Sequence, residues 1–189
     1  LVLLVTIIYL AYLKFFEKQL LEPRYLSLSS MLVVVTCLIA VLLPTGFSPY
    51  ILPIPAVIII AAIFLSPRVA FLLSSLILTI LTVGMQYDSQ FLIIFTILSL
   101  IGMITVSKIR YTRRFDLIKV GFNLSVAGLL IMLSLYFIDK CLIDVSNALI
   151  LRNCIFIFVN GLFSSIVALG VSPLLESTLH IITPCLLYT

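Results

Sequence analysis

Charged residues are scarce in this sequence: only 10% of its 189 positions are Asp, Glu, Lys or Arg, against 63% hydrophobic ones. A water-soluble globular domain has roughly a quarter of its residues charged, so this composition excludes that class. Apolar runs of membrane-spanning length recur along the whole chain and leave no room for a separate soluble domain. We therefore expect an all-α fold, a polytopic membrane helix bundle that forms one transmembrane domain over residues 1–189.

Residues that could carry catalysis are also few. His180 is the only histidine, so no zinc site with several histidines can be built. Glu176 lies four residues before it, on the same face if that stretch is helical, but a metal or acid–base site needs more ligands than this pair. We expect a capping or interface role for the pair, and no catalytic, cofactor-binding or metal-binding residue in this chain.

The cysteines lack the spacing of metal ligands. They are Cys37, Cys141, Cys154 and Cys185. A small apolar packing role is favoured over a disulfide between Cys141 and Cys154. The start of the chain lacks both a methionine and a basic segment before its first apolar run, which argues against a signal peptide. The expectation is a domain that is truncated at both ends.

Seven apolar segments are present, separated by short polar or proline-containing turns. They are 1–16, 26–43, 50–65, 69–85, 91–106, 117–138 and 148–171. The third and fifth have 16 residues each by these bounds, fewer than the roughly 20 that a full crossing prefers, so the number of spans is six to seven. Pro53 and Pro55 are expected in the first turns of the third segment, and Pro173 is expected to break the seventh.

Basic residues are distributed very unequally between the two sides that seven crossings define. One side has nine: Lys14, Lys18, Arg24, Arg68, Lys108, Arg110, Arg113, Arg114 and Lys119. The other side has two, Lys140 and Arg152. Because short cytoplasmic loops are enriched in Lys and Arg, the chain is predicted to start outside and to end in the cytoplasm.

Polar and small residues mark the sixth and seventh segments. Asn123 and Asn160 lie within these apolar runs, either as polar gate or ligand contacts or, as we favour, as hydrogen-bonding groups that fix helix packing. Small residues recur at i, i+4 and i+7 on both segments and predict that the two helices pack closely. They are Gly121, Ser125 and Gly128 on the sixth, and Gly161, Ser165 and Ala168 on the seventh. The basic loop 108–114 could bind anionic lipid headgroups, although its role as a topology signal already explains it.

The end of the chain resembles a known family. The stretch Asn160-Gly161-Leu162-Phe163-Ser164-Ser165, then Gly170-Val171-Ser172-Pro173-Leu174-Leu175-Glu176 and Ile181-Ile182-Thr183, is similar to the end of the membrane region of seven-transmembrane receptors with intracellular HD hydrolase. The start of the sixth segment, residues 116–121 after Arg113-Arg114, is also similar. Leu179-His180 stands where the family usually has an aromatic residue, and residues 184–189 depart from the family's linker.

The resemblance implies a bacterial plasma-membrane protein that takes part in signal transduction. An extracytoplasmic domain would precede the spans, and a cytoplasmic HD phosphohydrolase that degrades cyclic di-AMP would follow, with a divalent metal in that absent domain. Its partners would be the bilayer and these two domains, with homo-oligomerisation left open and no nucleic acid. Within this chain the resemblance and the helix pattern together point to coupling or packing roles for Asn160, Gly161, Ser165, Gly170, Pro173 and Glu176, and for Gly121, Asn123, Ser125 and Gly128.

Two other classes stay open at this point. A small-solute transporter or permease subunit would show a solvated cavity that reaches Asn123 or Asn160. A membrane-embedded enzyme would need several ionisable groups that converge within the bilayer, and the apolar segments contain almost none.

Overall fold

A computed structural model of the chain describes residues 2–17, 22–43, 48–108, 116–140 and 147–179. It is all-helical over these residues, as predicted. The seven helices are α1 (Val2–Phe16), α2 (Pro23–Leu42), α3 (Ile54–Phe64), α4 (Pro67–Met85), α5 (Ser89–Lys108), α6 (Asp116–Lys140) and α7 (Asn147–Leu179). A short 3-10 turn, Pro49–Ile51, precedes α3.

The centre of the bundle is α3, which packs against α4, α5 and α7. All but one of its 11 residues are buried. A helix that is apolar on every side is stable only where other helices surround it, so its composition places it in the core. At 1.5 Å per residue it is about 16 Å long, much shorter than the roughly 30 Å hydrocarbon core. The third predicted segment is thus only partly α-helical.

Within the described part of the chain, five helical stretches are long and apolar enough to cross a membrane. They are Pro23–Leu42, Pro67–Met85, Ser89–Lys108, Asp116–Ile138 and Ile150–Leu175. The fifth apolar run, 16 residues long in the sequence, lies within a longer helix, since α5 has 20 residues. Its apolar run stops before its backbone helix does, and the polar residues Ser89, Gln90, Ser107 and Lys108 form its ends. Two shorter apolar stretches are also present: Val2–Phe16, which is α1, and Pro49–Phe64, which combines the 3-10 turn and α3.

Contacts between helices define a common end for most of the basic side chains. The Ser66 hydroxyl donates to Glu17 Oε1 at 3.0 Å, which joins the end of α1 to the start of α4. A three-residue link turns α4 back into α5, and Gly102 of α5 lies beside Leu124 of α6, near the start of α6. This shared end, here the basic end, has five of the described basic residues: Lys14, Arg24, Arg68, Lys108 and Lys119. Arg152 lies near the other end, in the second turn of α7.

The seventh helix continues through Pro173, so the break predicted there is wrong. Pro173 has no N–H to donate to the Leu169 carbonyl four residues earlier, and such a lost bond is costly in lipid. The Ser172 hydroxyl donates to that carbonyl at 3.2 Å instead. Because a neighbouring side chain replaces the missing backbone donor, α7 runs as one helix of 33 residues, about 50 Å long.

Candidate functional site: the polar contacts of α7

The backbone between α2 and α3 is not α-helical just before the core helix. Pro49 opens the 3-10 turn, Leu52 is extended with φ −58° and ψ 129°, and Pro53 caps α3. Pro53 has no N–H, and the Ile54 N–H donates to the Leu52 carbonyl at 2.7 Å. Neither residue therefore supplies the helical hydrogen bond that the Tyr50 carbonyl would accept in a continuous helix. Irregular backbone in an apolar bundle needs other donors.

Asn160 supplies these donors from the middle of α7. Its Nδ2 donates to the Tyr50 carbonyl at 2.8 Å and to the Leu52 carbonyl at 2.7 Å, so both amide hydrogens are used. Its Oδ1 accepts from the Ser164 hydroxyl at 3.2 Å. Asn160 and Ser164 are both buried. A single side chain thus ties the middle of the bundle's longest helix to the broken segment before the central helix α3.

A second contact joins the same two elements nearer the end opposite to the basic end. The Ser48 hydroxyl donates to Asn153 Oδ1 at 2.9 Å, and both residues are buried. Asn153, Asn160 and Ser164 are separated by seven and four residues, so they lie on one face of α7. We call Ser48, Tyr50, Leu52 and these three side chains of α7 the polar latch.

The face of α7 beside the polar latch, which includes Gly161 and Ser165, packs on α6 through small residues. A Cβ added to Gly161 would lie 2.8 Å from the Ser125 nitrogen and 2.9 Å from its Cα. A Cβ on Gly121 would overlap Ser165, and it would lie 3.0 Å from the Gly161 carbonyl. The Ser125 hydroxyl donates to the Gly121 carbonyl at 2.9 Å, so this polar group within the interface has a partner. The two backbones are therefore in direct contact.

The other small residues differ in their surroundings. A Cβ on Gly128 would lie 3.3 Å from Ile157, and Ala168 is buried. Gly170 is exposed, with no other atom within 4 Å of an added Cβ, and Pro173 is also exposed. The row of small residues on α7 therefore stops being an interface after Ala168, and the last part of the helix is less enclosed.

Asn123 lies on the outer surface of α6 rather than between helices. No described residue forms a hydrogen bond with its amide, in contrast to Asn160. It lines an open cleft of about 490 Å³ together with Ile118, Lys119, Phe122 and Leu162. Two asparagines that are alike in sequence thus have opposite environments.

Other predicted features fall partly or wholly outside the described residues. The backbone of Glu176 is helical, but its side chain is not described, and His180 lies outside the described residues. Cys37 and Cys154 are free thiols, while Cys141 and Cys185 lie outside the described part. Within the basic loop only Lys108 is described, exposed at the end of α5. Among the described residues, no cluster of three or more His, Cys, Asp or Glu could hold a metal.

Sequence reasoning missed Ser48, Asn153, Ser164 and Ser172 as structural contacts. One feature of the sequence could have predicted the polar latch. It is the cluster of three prolines, Pro49, Pro53 and Pro55, within seven residues of an apolar run. Such a cluster removes several N–H donors and predicts unpaired carbonyls, which need a polar side chain from another helix. The partner could be recognised only once α7 was known to pass beside this segment.

The fold and these contacts define a polytopic α-helical membrane domain, in which one long helix is tied to a broken central segment. No catalytic centre is found among the described residues. Comparison of the sequence with protein families gives the particular class. Residues 1–183 match the family described as 7TM receptor with intracellular HD hydrolase, and the chain belongs to that family. No curated protein and no solved structure matches the chain.

Proposed function

We propose that this chain is the signal-transducing membrane region of a bacterial HD-type phosphodiesterase that degrades cyclic di-AMP. Membership of the receptor family supports an HD hydrolase on the cytoplasmic side, with its own divalent metal, and an extracytoplasmic sensor domain. The membrane region anchors both and transmits the signal between them. Its further contacts would be the lipid bilayer and, where the receptor self-associates, a second copy of the chain.

The orientation follows from the common location of the basic side chains. Five described basic residues are at the basic end, and Arg152 is near the other. By the positive-inside rule, this distribution supports a cytoplasmic location for the basic end, with α1 beginning outside and α7 ending inside. The last part of α7, from Gly170 to Leu179, then leads toward the hydrolase.

The observation that carries the mechanism is the pair of hydrogen bonds from Asn160 to the Tyr50 and Leu52 carbonyls. The broken segment lies directly after the link between α2 and α3, on the outer side in this orientation. A displacement of that link by an outer domain would be applied to α7 through the polar latch. Because α7 is continuous through Pro173, its cytoplasmic end would move with it.

The latch is weak enough to change between two states. Interhelical hydrogen bonds in membranes contribute about 0.6 kcal/mol each on average and at most about 1.7 kcal/mol. Two of them give roughly 1–3 kcal/mol, which is the usual range of coupling free energies between sites and corresponds to a change of about 5- to 150-fold in an equilibrium. The contact can therefore bias a signalling equilibrium without locking the bundle.

The test uses the intact receptor in lipid vesicles, with hydrolysis of cyclic di-AMP as the measurement. Asn160→Leu removes both donors, and it is expected to change the basal rate by at least about fivefold. Val159→Leu is the matched control, since Val159 is the preceding residue of α7 and faces outward at 53% exposure. Equal rates for wild type, Asn160→Leu and Val159→Leu would contradict the coupling role. Failure of the wild-type receptor to hydrolyse cyclic di-AMP would contradict the proposed substrate.

A further inference from the structure

The cleft at Asn123 places polar side chains within the apolar outer surface of the bundle. The outward face of α6 is otherwise apolar: Ile118 is 41% exposed and Phe122 is 52% exposed. Lys119 and Asn123 lie between them, at the basic end, and Leu162 of α7 closes the far side. The cleft therefore combines an ammonium, an amide and a hydrophobic floor.

We propose that this cleft binds one anionic phospholipid, with the lipid phosphate at Lys119, the glycerol ester at Asn123 and an acyl chain along Phe122 and Leu162. The proposal does not depend on the attached hydrolase or on its substrate. It concerns a contact with α7 at Leu162, one residue after Gly161, where α7 is in direct contact with the backbone of α6.

Lys119 has donors to spare for a phosphate. Its Nζ contacts Asp116 Oδ1 at 2.9 Å, which fixes the direction of the side chain, yet the lysine side chain remains 73% exposed. An ammonium has three N–H groups, so two remain after this ion pair. Asp116 partly offsets the charge of Lys119, but the ammonium keeps its remaining N–H groups and most of its exposure. An exposed ammonium at this end of the bundle favours an anionic headgroup.

Asn123 supplies the second contact at the depth where lipid esters lie. It is four residues after Lys119, hence about 6 Å further along the helix axis. The polar interfacial layer of each leaflet is roughly 5–7 Å thick, so the amide reaches its inner boundary when Lys119 is at the phosphates. An amide that faces hydrocarbon with no partner is unfavourable, and an ester carbonyl would accept its hydrogen bond. A soluble phosphate would satisfy Lys119 but would leave this amide and the apolar floor unused.

A second crevice, between α6 and α7, is almost entirely apolar and makes a useful contrast. It is lined by Leu133, Ile150, Phe158 and similar side chains, and it has a comparable volume of about 490 Å³. Lipid tails are as apolar as its lining, so nothing in it distinguishes one lipid from another. Selectivity for a headgroup is expected only at the cleft with Lys119 and Asn123.

The experiment reconstitutes the protein in vesicles of phosphatidylcholine with a minor fraction of phosphatidylglycerol, and native mass spectrometry then counts the lipids that stay bound. We expect retained phosphatidylglycerol to exceed its share in the vesicle. Lys119→Gln should lower this preference about fivefold, and Asn123→Leu about threefold. Lys119→Arg should keep it. Circular dichroism of each variant verifies that the helices remain intact.

Two controls separate the cleft from its surroundings. Lys108→Gln removes another exposed lysine at the same end of the bundle and should leave the preference unchanged. If Lys108→Gln lowers it as much as Lys119→Gln does, the whole basic surface attracts lipid and the proposal is overturned. Displacement of the bound lipid by inorganic phosphate alone would also overturn it, because the site would then recognise a phosphate group and not a lipid. The absence of any preference in the wild type has the same consequence.

Discussion

Replacing Gly161 by alanine tests whether direct backbone contact between α6 and α7 stabilises the bundle. The new methyl group would lie 2.8 Å from the nitrogen and 2.9 Å from the Cα of Ser125. These are backbone atoms within a helix, so they cannot move aside as the end of a flexible side chain would. The two helices must separate, and the Gly121 contact with Ser165 one turn away would be lost with them.

The magnitude follows from two opposing terms. Alanine is favoured over glycine in a helix interior by about 1 kcal/mol. Forcing an extra methyl group into a packed contact costs typically about 1–3 kcal/mol, and a contact with backbone belongs to the upper part of that range. We therefore expect Gly161→Ala to lower the free energy of unfolding by about 1–2 kcal/mol.

Gly170→Ala is the matched control on the same helix. No atom outside its own helical turn lies within 4 Å of the added Cβ, so only the propensity term remains. This variant should be neutral or more stable by up to about 1 kcal/mol. The assay is unfolding by SDS in mixed micelles, followed by circular dichroism. If both variants shift the midpoint in the same direction and by the same amount, close packing at Gly161 does not contribute as inferred.

Three further predictions concern other parts of the chain. Ser172→Ala should destabilise α7 by about 1 kcal/mol, because the Leu169 carbonyl loses its donor. Ser177→Ala should be near neutral, since its acceptor, the Leu174 carbonyl, keeps the backbone N–H of residue 178. Equal effects in the SDS assay would contradict the idea that the Ser172 hydroxyl replaces the N–H that Pro173 lacks. Burial raises the pKa of the Tyr87 phenol in the link between α4 and α5. The contribution of this phenol to stability should therefore be complete below about pH 10 and be lost as the pH rises from there, because the unfolded chain loses this proton first. Tyr87→Phe should remove that part of the pH dependence. Single cysteines can be introduced into a cysteine-free form of the protein that is expressed in intact cells. A non-permeant maleimide should then label Asp88→Cys and not Lys108→Cys, since the two exposed positions are at opposite ends of α5. The reverse pattern would refute the cytoplasmic location of the basic end.

Composition and local patterns account for much of the fold. The scarcity of charge and the recurring apolar runs predict an all-helical membrane domain, which the structure confirms. The family was also predicted from the motifs around Asn160 and Pro173, and residues 1–183 match it. These features are properties of single segments, so they can be inferred without knowledge of which segments meet.

The errors share a physical cause. Pro173 was expected to end the membrane helix because proline lacks a donor, but the neighbouring Ser172 hydroxyl compensates for it. The third segment was expected over residues 50–65 with Pro53 and Pro55 in its first turns. Pro55 does lie in the first turn of α3, but the residues before it are irregular and bond to Asn160, more than 100 residues away. In both cases the outcome depends on which side chain donates to a carbonyl that lacks its helical N–H partner.

The amino-acid sequence by itself determined that this protein lies in a membrane and that its α6 and α7 have rows of small residues. Only the tertiary structure decided that the shortest helix, α3, is the core, and that Asn160 and Asn123 differ in role. The reason is that burial in lipid and burial in protein require the same apolar residues, whereas hydrogen bonds to the backbone depend on which helices are neighbours. Asn160 is enclosed and donates to two carbonyls of the broken segment, while Asn123 faces outward into a cleft.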